Sequence, residues 1–454
     1  MISVDEELLG TLAALWRIPP PGPNNLLSAP AFVALSELIA QRTASGKVTF
    51  ALSNALRSLG LPCGLPAKHT VPALDLPTVA EMLMKAFSRS SVTRRHLCPL
   101  DLADDLPPMT FGNAHIARFS AAELDDLFEW PRLTRHFPTL TSDAKRLAEF
   151  QWLIVEEEVR VEAKPEARAF PFLEMDIGRD LGEIEPHRGR FPKSVEDALF
   201  FLLLAPWEEW STLNEVDWRG FRVPWIYTLD DDLFVSPARP PSADTLSYEP
   251  WTYQDDWGEE IEIERPIVLH LDGGATAGLQ WIKDATWDEV QAARATSLFE
   301  TPVVHFLVRA FLANGIDEFI AHLTVIEAAL GLESDHRRGQ RPKTDPHSKL
   351  SATKRVAARL RSAVGEDKAA QDYEHLFDLR SAFIHGRSGL QRISTQQRLL
   401  ARSLSRRAVC ALIRLAGQPN ILREHVLSEL LGASLPGSQD ILPQEERKRR
   451  HRPL

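Results

Sequence analysis

The chain holds three cysteines in 454 residues, Cys63, Cys98 and Cys410, and no Cys-x-x-Cys pair. So few and so scattered, they exclude a disulfide framework and a cysteine-based zinc site, and they suit a reducing compartment. Long apolar runs are also missing. The longest, ALFFLLLAP from Ala198 to Pro206, falls well short of the roughly 20 residues that cross a bilayer. The first residues, MISVDEELLGTLAALW, carry acids where a signal peptide carries bases, and their apolar run is short and broken. These absences predict a cytoplasmic protein with no membrane contact. There is no P-loop, no dinucleotide fingerprint, no His-Glu-x-x-His and no nucleophile elbow, so no cofactor is expected. No metal is expected either: the run Asp230-Asp231-Asp232 reads as a polar turn, and Gly273-Gly274 opens no helix that could cradle a phosphate.

Tryptophan is absent from residue 301 onward: all 11 lie between Trp16 and Trp287. Charge changes sign at the same place. Residues 1–300 carry 27 Lys and Arg against 47 Asp and Glu, a balance of −20, whereas 301–454 carry 25 against 16, a balance of +9. A chain of this length supports two or three cores. The coincident steps predict an acidic, Trp-rich region over 1–295, divisible near 105–125, then a basic domain over 300–432 and a disordered basic tail over 433–454 that contains RKRRHRP. Such asymmetry predicts that the C-terminal part meets a polyanion.

The N-terminal region reads as α+β. Residues 1–100 are mostly helical in pattern, with a loop-like stretch from Gly60 to Pro77. MTFGNAHIARF reads as a hairpin, and Ser120 with Glu123 forms a capping box. Strand candidates follow in 150–177 and 221–272, among them RVPWIYTL, LFVSP and EEIEIE, around the apolar helix EDALFFLLLAPWEEW. From Pro302 the pattern turns all-α. Helices are expected over Val303–Ala313, Ile316–Leu330, Leu350–Val364, Asp367–His385 and, capped by Ser394 and Asn420, two more ending near Gly417 and Gly432. LESDHRRGQRPKTDPHS reads as a mobile loop because it lacks an apolar anchor.

One stretch carries chemistry: Arg380-Ser381-Ala382-Phe383-Ile384-His385-Gly386, at the end of a predicted helix. RNA brings its own nucleophile, the 2′-hydroxyl, so metal-free cleavage needs only proton transfer and charge stabilisation. A histidine titrates near neutrality and can serve as general acid or base. An arginine stays charged and offers a planar fork to phosphate oxygens. Five residues apart, the two side chains diverge by about 140° on an ideal helix. Either the helix unwinds at His385, which Gly386 permits, or a second copy supplies one of the two groups.

The order IEAALG (Ile326–Gly331), a charged loop, an Arg-rich helix and then DYEHLFDLRSAFIHG (Asp372–Gly386) resembles the HEPN superfamily, specifically its Apea-like members, over roughly residues 300–420. The resemblance implies a helical bundle and a metal-independent endoribonuclease. Its hallmark Arg and His fall on Arg380 and His385, which would leave a 2′,3′-cyclic phosphate and a 5′-hydroxyl. It also implies a homodimer with a composite site, a role in anti-phage defence or as a toxin, and RNA, tRNA included, as substrate. Many active relatives carry Asn, Asp or His directly after the arginine, where this chain has Ser381. That departure keeps open a non-catalytic HEPN module serving dimerisation or RNA binding.

Four further readings concern supporting groups. Glu327 stands where relatives often carry an acid and could orient Arg380; a solvated glutamate is the plain alternative. Ser381 can bond the phosphate or back-bond to its own helix. Arg355 and Arg359, and Arg398, Arg402 and Arg406, recur at four-residue steps and read as basic stripes for RNA, joined by the Arg337, Arg338, Arg341 and Lys343 cluster. The Trp-rich half reads mostly as core, with exposed members available to a protein trigger or inhibitor.

Overall fold

The computed structural model describes residues 5–23, 25–69, 74–170, 178, 180, 182–183, 189–337, 339, 341, 347–386, 392–417 and 422–434. Two compact units emerge, both discontinuous. Residues 1–100, 117–183 and 223–266 build the first; residues 101–116, 184–222 and 267–454 build the second.

In the first unit, helices α1 (Glu6–Trp16), α2 (Pro30–Thr43), α3 (Thr49–Ser58) and α4 (Leu76–Ser88) share one core. Leu8, Leu12 and Leu15 of α1 and Phe32, Leu35 and Ile39 of α2 recur at helical spacing and are fully buried. Asp5 and Asp75 accept the N–H groups of Leu8 and Thr78 and so start α1 and α4. Beside this core lies an antiparallel sheet that includes β1 (Ser91–Leu100). It pairs with β2 (Gln151–Arg160) from Ser91↔Arg160 to Leu100↔Gln151, and with β3 (Tyr227–Asp230) from Arg94↔Asp230 to Leu97↔Tyr227. The sequence pattern hid β1 because Arg94 and Arg95 interrupt its apolar alternation. In the sheet, Arg94 pairs with Asp230 at 2.7 Å and Arg95 with Glu156 at 2.6 Å. The aspartate run is a hub of ion pairs: Asp231 binds Arg89 at 2.7 Å, and Asp232 binds Arg168 at 2.8 Å in the interior. LFVSP is no strand; it makes a turn that buries Phe234.

The second unit is largely helical and holds most of the hairpin Met109–Phe111 with Ala114–Arg118, turned at Gly112. Its principal helices are α5 (Lys193–Leu202), α6 (Asp284–Arg294), α7 (Val303–Leu312), α8 (Gly315–Leu330), α9 (Ala352–Val364), α10 (Asp367–Ile384), α11 (Thr395–Leu415) and α12 (Arg423–Gly432). Helix α8 packs on α7 and α11, and α9 packs on α10 and α12. The expected α+β class with a helical C-terminal region is what the fold displays. The step in composition near 300 is nevertheless not a packing boundary. Trp218 packs 5.6 Å from His322 of α8 and 6.4 Å from Phe311 of α7, ring to ring, and its indole N–H donates to Glu318 at 2.9 Å. The core of the helical region therefore includes tryptophans from 184–222.

The expected loop after Gly331 is anchored at its start by polar groups. Asp335, in the turn Glu333–His336, is fully buried and accepts from Arg355 Nε at 2.6 Å, from both terminal nitrogens of Arg359 and from the Leu332 N–H at 2.9 Å. Arg359 and Arg423 then close the C-terminus of α8. Arg359 donates to the Leu330 carbonyl at 2.9 Å, and Arg423 donates to those of Ala328, Ala329 and Gly331 at 2.6 to 3.1 Å. Helix ends leave such carbonyls without intrahelical partners, and here guanidinium groups satisfy them. Arg338, Lys343, Asn420 and the tail lie outside the described residues.

Each unit contains a buried histidine held neutral. His136, bonded to Ser58 Oγ at 3.0 Å, is lowered to about 3 by burial and by Arg57, Arg132 and Arg135. His322, bonded to Ser405 Oγ at 2.9 Å, lies well below its ordinary value through burial and the charges of Arg402, Arg219 and Arg398. A depressed histidine means that the unfolded chain takes up a proton the folded chain refuses. Its stabilising contribution is complete above pH ~6.5 and is lost as pH falls below that, at up to about 1.4 kcal/mol per pH unit for each group. Urea unfolding at pH 7.5 and 5.5 should show this loss, and His136→Gln should flatten the slope for the first unit; an unchanged slope would contradict the assignment.

Candidate active site

Helix α10 sets Tyr373, Phe377 and Arg380 on one face, four and three residues apart. Tyr373 is fully buried and its ring lies 6.1 Å from that of Phe377; the Arg380 guanidinium lies 5.6 Å from the Phe377 ring. From α8, Glu327 reaches across so that both its oxygens accept from Arg380 Nη1, at 3.0 and 2.9 Å. The pair is half-buried, with side-chain exposures of 22% and 34%, so its charges are screened less than a surface pair while still open to solvent. Among the described residues, Arg380 Nε and the Tyr373 hydroxyl are buried without a hydrogen-bond partner. Burial, and then the charge of Glu327, push the Tyr373 phenol well above its ordinary value, so it stays a neutral donor. The sequence reading missed Tyr373. Its spacing of seven from Arg380, two helical turns, is the signal that could have found it.

His385 closes the same helix. Its N–H still donates to the Ser381 carbonyl at 3.0 Å, its backbone leaves helical geometry at φ −92° and ψ 7°, and Gly386 takes φ +58°. Helix α10 thus runs unbroken through Ile384, and the divergence of about 140° expected of a five-residue separation applies within one copy. Arg380 turns to Glu327, while His385 is exposed and its imidazole bonds no described residue. Between them, Phe383 and Ile384 are 44% and 51% exposed. Among the described residues the Ser381 hydroxyl makes no back-bond to its helix, and its carbonyl accepts from the His385 N–H.

The expected basic stripes are not surface stripes. Arg359 and Arg402 are fully buried and Arg355 nearly so. Arg355 and Arg359 are consumed by Asp335, and Arg402 pairs with Glu208 at 3.3 Å while its guanidinium lies 4.7 Å from the Trp218 ring. Burial brings Arg402 down to about 10, which leaves it charged. Arg406 binds Glu208 at 2.8 Å and Glu209 at 2.5 Å, and Arg398 binds Glu318 at 2.9 Å. The physical reason is that α11 is an interior helix of its unit, and carboxylates from 208–209 and α8 neutralise its arginines. Arg341 is likewise spent on carbonyls, those of Ser334, Asp335, Ser348 and Leu350.

Comparison with protein-family models, with curated proteins and with solved structures finds no match. Among the described residues no helix is long and apolar enough to cross a membrane, and no three His, Cys, Asp or Glu side chains group to hold a metal ion.

Proposed function

We propose that the chain is a metal-independent endoribonuclease of HEPN type, acting on RNA as a homodimer in a defence or toxin role. The observation that carries this reading is the Glu327–Arg380 pair, two nearly 3 Å contacts that orient the motif arginine one helix end away from an exposed histidine. In the reaction, His385 removes the 2′-hydroxyl proton or protonates the departing 5′-oxygen, and Arg380 offers its remaining donors to the phosphorane. Glu327 orients the guanidinium. The test is incubation of the full chain with tRNA and total RNA in EDTA, with end analysis for 2′,3′-cyclic phosphate. RNA retained without cleavage would favour a non-catalytic RNA-binding module instead.

The divergence along α10 requires Arg380 of one copy to work with His385 of another. Exposed Phe383 and Ile384 between them supply an apolar contact for that second copy. Phe383→Asp/Ile384→Asp should convert a dimer, measured by light scattering at micromolar concentration, into a monomer without cleavage activity. A strictly monomeric wild-type chain that still cleaves would remove the composite site.

A further inference from the structure

The ribbon formed by Tyr248–Gln254 and Glu260–Pro266 in the first unit has two faces of opposite character, and both are exposed. Its register pairs Glu249 with Arg265, Trp251 with Ile263 and Tyr253 with Ile261, so these six side chains share one face. Trp251, Tyr253 and Ile263 on that face are 42%, 43% and 44% exposed, and Trp257 at the turn is 89% exposed. The alternate positions place Glu260, Glu262 and Glu264 on the other face. Asp255, Asp256 and Glu259 add to the turn, and residues 248–266 carry seven acids against a single cation, Arg265. Among the described residues the two strands pair only with each other, so neither outer edge has a strand partner. An aromatic face of this size left in water marks an interaction surface.

Charge decides among occupants. Six net negative charges repel nucleic acid and an anionic lipid surface, and they attract a cationic polypeptide. Arg265 shows which cation the aromatic face accepts: its guanidinium lies 3.5 Å from the Trp251 ring centre while its Nε donates to Glu249 at 2.8 Å. On the opposite face Arg146 likewise combines a ring and a carboxylate, 4.6 Å from the Tyr248 ring and 3.2 Å from Glu264. Planar guanidinium groups stack and bond at once, which a lysine ammonium cannot do.

We propose that this ribbon docks an extended, arginine-rich polypeptide segment along one open edge. A strand added there sends alternate side chains to opposite faces, so its arginines stack over Trp251 and Tyr253 on one side and pair with Glu260 and Glu262 on the other. The proposal stands whether or not the chain cleaves RNA. The test titrates the full chain into fluorescein-labelled hexa-arginine and hexa-lysine and follows anisotropy at moderate salt. Hexa-arginine should bind at least about fivefold more tightly than hexa-lysine. Trp251→Ala/Trp257→Ala and Glu260→Lys/Glu262→Lys should each weaken it by about tenfold without shifting the melting temperature, since the ribbon is exposed. Equal binding of the two peptides, or arginine binding that both double variants retain, would overturn the assignment.

Discussion

Replacing Arg380 or His385 by alanine should lower the rate of RNA cleavage by about 10²–10⁴-fold in each case, with little further loss in the double variant. In the proposed reaction the two act on one transition state, so removing the second group from a site already missing the first changes little. The rest of the molecule should be undisturbed by His385→Ala, because that side chain is exposed and bonds no described residue. Arg380→Lys keeps the charge and loses the fork, and it should behave nearly as the alanine variant. Glu327→Gln separates orientation from charge: it leaves Arg380 in place without its ionic partner and should cost far less than loss of the arginine itself. The measurement is single-turnover cleavage of a labelled RNA in EDTA. Unchanged rates in both alanine variants would assign the activity elsewhere, and the proposed reaction would fall.

Asp335→Ala should be the most destabilising substitution in the second unit. It would strip Arg355 and Arg359 of their shared carboxylate in a site where both guanidinium groups are buried. Breaking a buried pair from one side leaves an uncompensated charge and costs about 3–5 kcal/mol, a large part of the stability of an ordinary domain. Burial by itself pushes the Asp335 carboxyl up, but the hydrogen bond and charge of Arg359 outweigh it and hold the group below its usual range. A depressed carboxyl contributes stability that is complete above the ordinary pKa of about 3.9 and is lost as pH falls through the folded value. Chemical denaturation of the variant at pH 7 should show the loss. A change under about 1 kcal/mol would mean that solvent reaches the pair and screens it.

The arginines explain how much of the molecule could be read in advance. Helix positions after residue 300 were legible because Ile326, Leu330, Val356, Leu360, Leu404 and Ala408 keep helical spacing, and Ser394, Gly365 and Gly386 punctuate it. Arg380, His385 and Glu327 were legible through the motif, and the structure brings the first and third together. The fate of the other arginines was not legible. An arginine every fourth residue looks the same in a sequence whether it faces water or a distant carboxylate, and Glu208 lies almost two hundred positions before Arg402. The same blindness hid β1, whose arginines find Asp230 and Glu156 only once the sheet forms. Local pattern reports burial of apolar groups well; buried ion pairs between distant segments leave no periodic trace.

The pairing of Glu208 with Arg402 and Arg406 sets a clock on the ribosome. At about 5–20 residues per second, roughly 10–40 s separate synthesis of the glutamate from that of its arginines. Throughout that interval Glu208 and Trp218 lack part of their packing partners, so the second unit closes only after Arg402 and Arg406 have been made. Arg380 and Glu327 meet in this same unit, whose buried ion pairs wait on residues made long after Glu208.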